Sequence, residues 1–216
     1  MKRRLMASLV FAGALVAPHA RLAAQLGVVS GTITTPAPGM GGIVVYLTPA
    51  TPARVPAAAP LSGQIDQRNL QFVPRVIAVS PGSTVSFPNS DPVMHSVFHP
   101  GTRAGGFDLG TYPQGEQRSF TFDDEGAYVI FCHVHPEMVA YVVVLATPYR
   151  TVTDDEGRFK VAGVAPGTYH LRTWHRRLQT QDRVVSVAAN GAVRVNLTLK
   201  YGVPVEPRAA EQHRPR

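Results

Sequence analysis

The sequence predicts an all-β protein made of two β-sandwiches, one inserted in or joined to the other. Three observations carry that reading. No stretch of the 216 residues sustains a helical period, whereas short apolar and alternating runs recur along the chain. Nineteen Gly and nineteen Pro punctuate those runs with turns. Finally, residues 27–52 and 148–200 are each too short for a sandwich of their own, but together they supply about six strands, enough for one. The strand-rich segment 63–147 lies between them, which predicts an insertion.

The elements follow in order. Residues 1–24 read as a secretory signal peptide: a basic "MKRR", the apolar run "LMASLVFAGALVA", and small residues for cleavage near Ala24. The run is short for a membrane span and no second one follows, so no integral span is expected after cleavage. "LGVVSGTIT" and "GGIVVYLTPA" are strands joined by "TPAPGM", and "TPARVPAAAPLSG" is a connector. "VIAVSPGSTVSFPNSDPVMHSVFHP" continues as strands and turns, and "RSFTFDDEGAYVIFC" is a strand pair around "DDEG". "VAYVVVLA" is apolar at nearly every position, which predicts a central strand covered on both faces. Alternation returns in "RFKVAGV" and "TYHLRTW", and "QDRVVSVAANGAVRVNLTLK" is expected to form a hairpin with "ANGA" at its tip. The Pro-rich, charged segment 201–216 is expected to be disordered.

Charge and cysteine content narrow the function. The formal charge of +7 falls to +3 once Lys2, Arg3, Arg4 and Arg21 leave with the signal peptide. No basic cluster with interleaved aromatics remains, which argues against nucleic acid as a partner. Export implies a periplasmic or secreted location. The single cysteine, Cys132, has no partner for an internal disulfide. A lone thiol in an oxidising compartment must be buried, reactive or metal-bound.

Cys132 lies in "YVIFCHVHPEMVAY". The spacing C-x-x-H-x-x-M brings a soft thiolate, an imidazole (His135) and a thioether (Met138) onto one short loop, a donor set suited to copper held by two His, one Cys and a weak axial Met. Zinc fits less well, because it rarely selects a thioether. The second histidine must come from elsewhere, and His95, in "FPNSDPVMHSV", is the candidate. Alternation puts Tyr128, Ile130 and Cys132 on one strand face, so Cys132 points inward at the strand's end. His133 is then expected to point away. His99 and Glu137 are weaker candidates, and His175 reads as a packing or surface residue. No nucleophile–base–acid arrangement and no phosphate loop is evident, so the chain does not read as an enzyme.

With these residues in hand, residues 63–147 resemble the cupredoxins, the plastocyanin and amicyanin group of blue-copper proteins. The resemblance rests on "VIAVSPGSTVSFPNSD", the step from Asn89 to His95, and the loop "CHVHPEM". It implies a Greek-key β-sandwich binding one mononuclear type 1 copper through His95, Cys132, His135 and Met138. It also implies single-electron exchange with redox partner proteins. Ser96 stands where plastocyanins have an Asn bracing the Cys loop, and Ala140 replaces a frequent Gly. The outer segments, "VSGTITTPAPGMGGIVVYL" and "TVTDDEGRFKVAGVAPGTYHLRTWH", resemble transthyretin-like, carboxypeptidase-regulatory-like modules, as in bacterial methylamine-utilisation or plastocyanin-like proteins. That likeness implies a structural or envelope-partner role for the outer sandwich. A copper-holding protein and a carbohydrate- or protein-binding module are the alternatives.

Overall fold

The computed structural model describes residues 25–51, 58–101 and 106–207, so the expected signal peptide 1–24 lies outside the described residues. Those residues form no helix and eighteen strands: β1 (Gly27–Thr34), β2 (Val44–Pro49), β3 (Gly63–Gln64), β4 (Asp66–Arg68), β5 (Gln71–Val73), β6 (Val76–Val79), β7 (Ser83–Pro88), β8 (His95–His99), β9 (Phe107–Tyr112), β10 (Gln117–Phe122), β11 (Gly126–Phe131), β12 (Val139–Val144), β13 (Arg150–Val152), β14 (Arg158–Val164), β15 (Gly167–Trp174), β16 (Asp182–Val187), β17 (Ala192–Arg194) and β18 (Leu197–Thr198). The all-β prediction therefore holds. Among the described residues no helix is long and apolar enough to cross a membrane.

Two sandwiches account for four of the five sheets; the fifth is the β4–β5 ribbon. In one, a sheet in the order β14-β1-β17, with β18 added to β1, packs against a sheet in the order β13-β2-β15-β16. Their shared core includes Val29, Ile33, Val45, Leu47, Phe159, Val161 and Leu171. Strands from both ends of the chain thus interleave in one core: β1 pairs with β14, and β2 with β13 and β15. In the other sandwich, β10-β7-β3 packs against β6-β12-β11-β8-β9 around Phe87, Val97, Phe122, Tyr128, Ile130 and Val142. Burial of these alternating apolar faces is the main stabilising term, at about 25 cal/mol per Å² of apolar surface.

The continuous apolar run of β12 has a direct cause. Val142 and Val144 enter the core of their own sandwich, while Val143 joins Val44, Tyr46, Leu145 and Trp174 in a separate cluster between the sandwiches. Tyr141 on the same face lies with its ring 5.5 Å from that of Trp174. Arg150 stitches the seam with polar contacts, donating to the Ala78 carbonyl (3.3 Å) and to Ser80 Oγ (2.7 Å).

Two expectations change. The expected hairpin around "ANGA" does not form: β16 pairs with β15, whereas β17 crosses to the facing sheet and runs parallel to β1. The turn is made, with Gly191 N–H donating to the Ala188 carbonyl at 2.9 Å. The chain after it changes sheet, however, because Val195, Leu197 and Leu199 complete the core beneath β1. Of the segment expected to be disordered, residues 201–207 lie along the outer sandwich, where Val205 N–H donates to Thr180 Oγ1 at 2.9 Å. Residues 208–216 lie outside the described residues. One glycine is obligatory: Gly157 closes the "DDEG" turn before β14 with φ +76°, and a Cβ there would collide with the Ile33 carbonyl.

A cleft of about 630 Å³ opens beside the seam, lined in part by Arg75, Tyr141, His175 and Arg176. Burial, then the Arg176 and Arg177 charges, push the His175 pKa from 6.5 down to about 4. Between those values the unfolded chain binds a proton that the folded chain does not, so stability rises with pH across roughly 4 to 6.5. Replacing His175 by Gln is expected to flatten this slope, measured as urea midpoint against pH. Trp174→Ala is expected to cost about 3–5 kcal/mol and to resolve one calorimetric transition into two, one per sandwich.

Candidate metal centre

The site begins with β11. Its burial alternates so that Tyr128 and Ile130 point inward, and Cys132, the next position in that series, is buried at 3% exposure. β11 pairs with β12 along its length, from Gly126↔Val144 to Phe131↔Val139. Residues 132–138 are therefore the loop of one hairpin, closed by Met138 N–H donating to the His135 carbonyl at 3.0 Å. On the other side of β11, Phe131 pairs with Phe98 of antiparallel β8. That register brings His95, the first residue of β8, to the same end of the sandwich as Cys132.

The three donors converge. Cys132 Sγ lies 3.9 Å from His95 Nδ1 and 3.9 Å from His135 Nδ1, and the two nitrogens are 3.0 Å apart. The point equidistant from these atoms is about 2.1 Å from each, close to the ~2.0–2.1 Å bond of a first-row metal to imidazole. His95, Cys132 and His135 thus form a group that could hold a metal ion. Met138, 1% exposed, packs in the same core cluster as Cys132. His95 is fully buried, whereas His135 is only partly so and forms the outer edge of the site. A thiol sulfur and two imidazole nitrogens are donors that suit a transition metal such as copper.

A rigid turn presents His95. Asn89 Nδ2 donates to the Val93 carbonyl (2.9 Å) and the Tyr112 carbonyl (3.1 Å), and Asn89 Oδ1 accepts from Asp91 N–H (3.0 Å). The side chain of Asp91 reaches His95, with Oδ2 2.9 Å from Nε2. Asp91 also accepts from the backbone N–H of Asn69 (2.6 Å) and Leu70 (2.9 Å), both at positive φ in the β4–β5 turn. Burial pushes the Asp91 carboxyl up, but these N–H groups and His95 outweigh it and hold the pKa below its ordinary value. Sequence reasoning missed Asp91. The signal was a carboxylate four residues before a candidate ligand in a turn-rich stretch, but only the fold shows that the turn folds back.

Ser96 braces the cysteine loop. Its Oγ accepts from His133 N–H (2.8 Å) and lies 3.8 Å from Cys132 Sγ, while its backbone N–H points at that sulfur from 3.4 Å. A hydroxyl thus makes the contact to the cysteine loop at this position. The other candidates fall outside the cluster. His133 is exposed, stacked on Phe98 with centroids 3.7 Å apart, and paired with Asp108 at 3.0 Å. His99 is buried, with its Nδ1 on the Val129 carbonyl at 2.9 Å. Glu137 is exposed beside a shallow depression next to Met138.

Known proteins align with both parts of the chain. Residues 59–145 match the family of copper binding proteins, plastocyanin/azurin family, and residues 137–200 match the carboxypeptidase regulatory-like domain. Together with the two-sheet architecture, the first match gives the segment a cupredoxin β-sandwich fold. Similar solved structures include a copper-containing nitrite reductase from Thermus scotoductus (27% identity, TM-score 0.37), with 44% of this chain covering 25% of that one. Others are a purple cupredoxin from Nitrosopumilus maritimus (24%, TM-score 0.34; 38% of this chain, 98% of that one) and a reduced Cu(I) amicyanin variant (22%, TM-score 0.37; 46% and 98%). No curated protein matches the chain.

Replacing Ser96 by Ala would leave His133 N–H without its acceptor and the sulfur without a neighbouring hydroxyl. The expected cost is about 1–3 kcal/mol, read from chemical denaturation, with faster metal loss to a chelator.

Proposed function

We propose that the chain is an exported type 1 copper protein that carries single electrons between redox partners. The triangle of Cys132, His95 and His135 is the single observation on which this reading rests. His95, Cys132, His135 and Met138 would hold one mononuclear copper, which supplies a one-electron couple when bound. The chain's residues do the rest. The buried strand end keeps water and oxidants from the thiol, and the fixed loop and turn hold both nitrogens in place with little room to rearrange. Four side chains fill the donor set and leave no open position for a substrate, so we read a carrier rather than an enzyme.

His135 is the proposed exit for electrons. Around it Val93, Met94 and Val134 are 42%, 51% and 47% exposed, with exposed Pro92 and Pro136 between them. Apolar side chains left in water at the one partly open ligand form a patch on which a partner can dock. We further read the chain as a copper sandwich, 63–147, inserted into a discontinuous transthyretin-like unit of 27–52 and 148–200. The pairing of β1 with β14 and of β2 with β15 supports this. The outer unit would hold the carrier against an envelope partner in the periplasm, or outside the cell if the chain is secreted.

Purified protein loaded with one equivalent of Cu(II) is expected to show intense visible absorption from the thiolate, bleached reversibly by reductant and abolished in Cys132→Ser. A colourless protein that takes up several Cu(I) ions would instead support the copper-holding alternative. Met94→Lys is expected to keep the band and slow electron self-exchange by about tenfold, the effect of ~1.4 kcal/mol of like-charge repulsion between docked copies.

A further inference from the structure

The contact behind His95 has a consequence for the copper reading on which it rests. We propose that Asp91 is a positioning residue that holds His95 with its proton on Nε2 and, through that hydrogen bond, biases the bound copper toward its oxidised state. Three observations carry this. Asp91 Oδ2 lies 2.9 Å from His95 Nε2, with both side chains buried. The same carboxylate accepts from the backbone N–H groups of Asn69 and Leu70, one on each oxygen, which fixes its orientation and favours its ionised, accepting form toward the ring. The opposite nitrogen of the same ring, Nδ1, is the one 3.9 Å from Cys132 Sγ and 3.0 Å from His135 Nδ1.

The chemistry follows from the wiring. An ionised carboxylate accepts only, so the bridging proton belongs to Nε2 and the Nδ1 lone pair is free for a metal. A carboxylate behind an imidazole raises the basicity of the metal-binding nitrogen. The more basic nitrogen stabilises the doubly charged ion more than the singly charged one, and so does a buried negative charge nearby. Both effects lower the potential of the Cu(II)/Cu(I) couple. A carrier so biased takes electrons from stronger reductants than one whose histidine rests on a neutral acceptor. Asp91 would thus narrow the class of electron donor that can reduce it.

Asp91→Asn tests this, because the amide keeps the shape and can still accept from Nε2–H but removes the charge. Wild-type and variant copper proteins are titrated by spectroelectrochemistry. The expected result is a retained visible band with the Cu(II)-over-Cu(I) affinity ratio reduced about tenfold, which is about 59 mV upward in midpoint potential. A retained band with a ratio changed less than twofold overturns the proposal. If the variant fails to fold or to bind copper, the tautomer decides: ¹⁵N NMR of the metal-free wild-type protein is expected to show His95 protonated at Nε2 with slow exchange. Protonation at Nδ1 overturns the proposal. A wild-type copper protein without the visible band would sink the type 1 reading instead, and the metal-free tautomer measurement would still report on the Asp91–His95 pair.

Discussion

A thiol sulfur and two imidazole nitrogens held within 3.9 Å of one another form an arrangement that the chain itself does not favour. The three polar atoms come from segments far apart in the chain and must satisfy one another where little water reaches. The surrounding structure must therefore impose the geometry. Two backbone devices do so. The β11–β12 register closes residues 132–138 into a hairpin loop that cannot open without breaking the ladder. The turn pinned by Asn89 holds His95 from the other side, and Ser96 joins the two through the His133 N–H.

The same constraint explains the shape of the site's surroundings. Buried ligands need an apolar sandwich beneath them, and the core around Phe87, Ile130 and Val142 supplies it. Of the three clustered residues His135 is the one left partly open, and Val93, Met94 and Val134, in the same two loops, are exposed. The outer sandwich packs on the opposite face of β12, the strand that closes the 132–138 loop, through Val143 and Trp174.

Much of this was legible in the sequence because it depends on periods and spacings. Alternation in "YVIFC" predicted the inward face of Tyr128, Ile130 and Cys132, and the loop spacing predicted that His135 would share their end of the sandwich. The apolar run of β12 predicted cover on both faces. What could not be read were contacts between segments distant along the chain. The crossing of β17 to the facing sheet was missed because a turn signal says where the chain reverses, not which sheet it joins. Asp91 was missed for a related reason: its partners Asn69 and Leu70 are more than twenty residues away and contribute only backbone N–H groups, which leave no mark on residue identity.

The sequence by itself determined the strand periods, the all-β class and the soft donor set, since these follow from residue type and local spacing. The tertiary structure decided which ligand is sealed and which is open, which nitrogen of His95 faces the sulfur, and that a buried carboxylate stands behind it. Those properties come from strand register and the folding back of turns. In both, backbone hydrogen bonds between remote segments set the distances on which the chemistry depends.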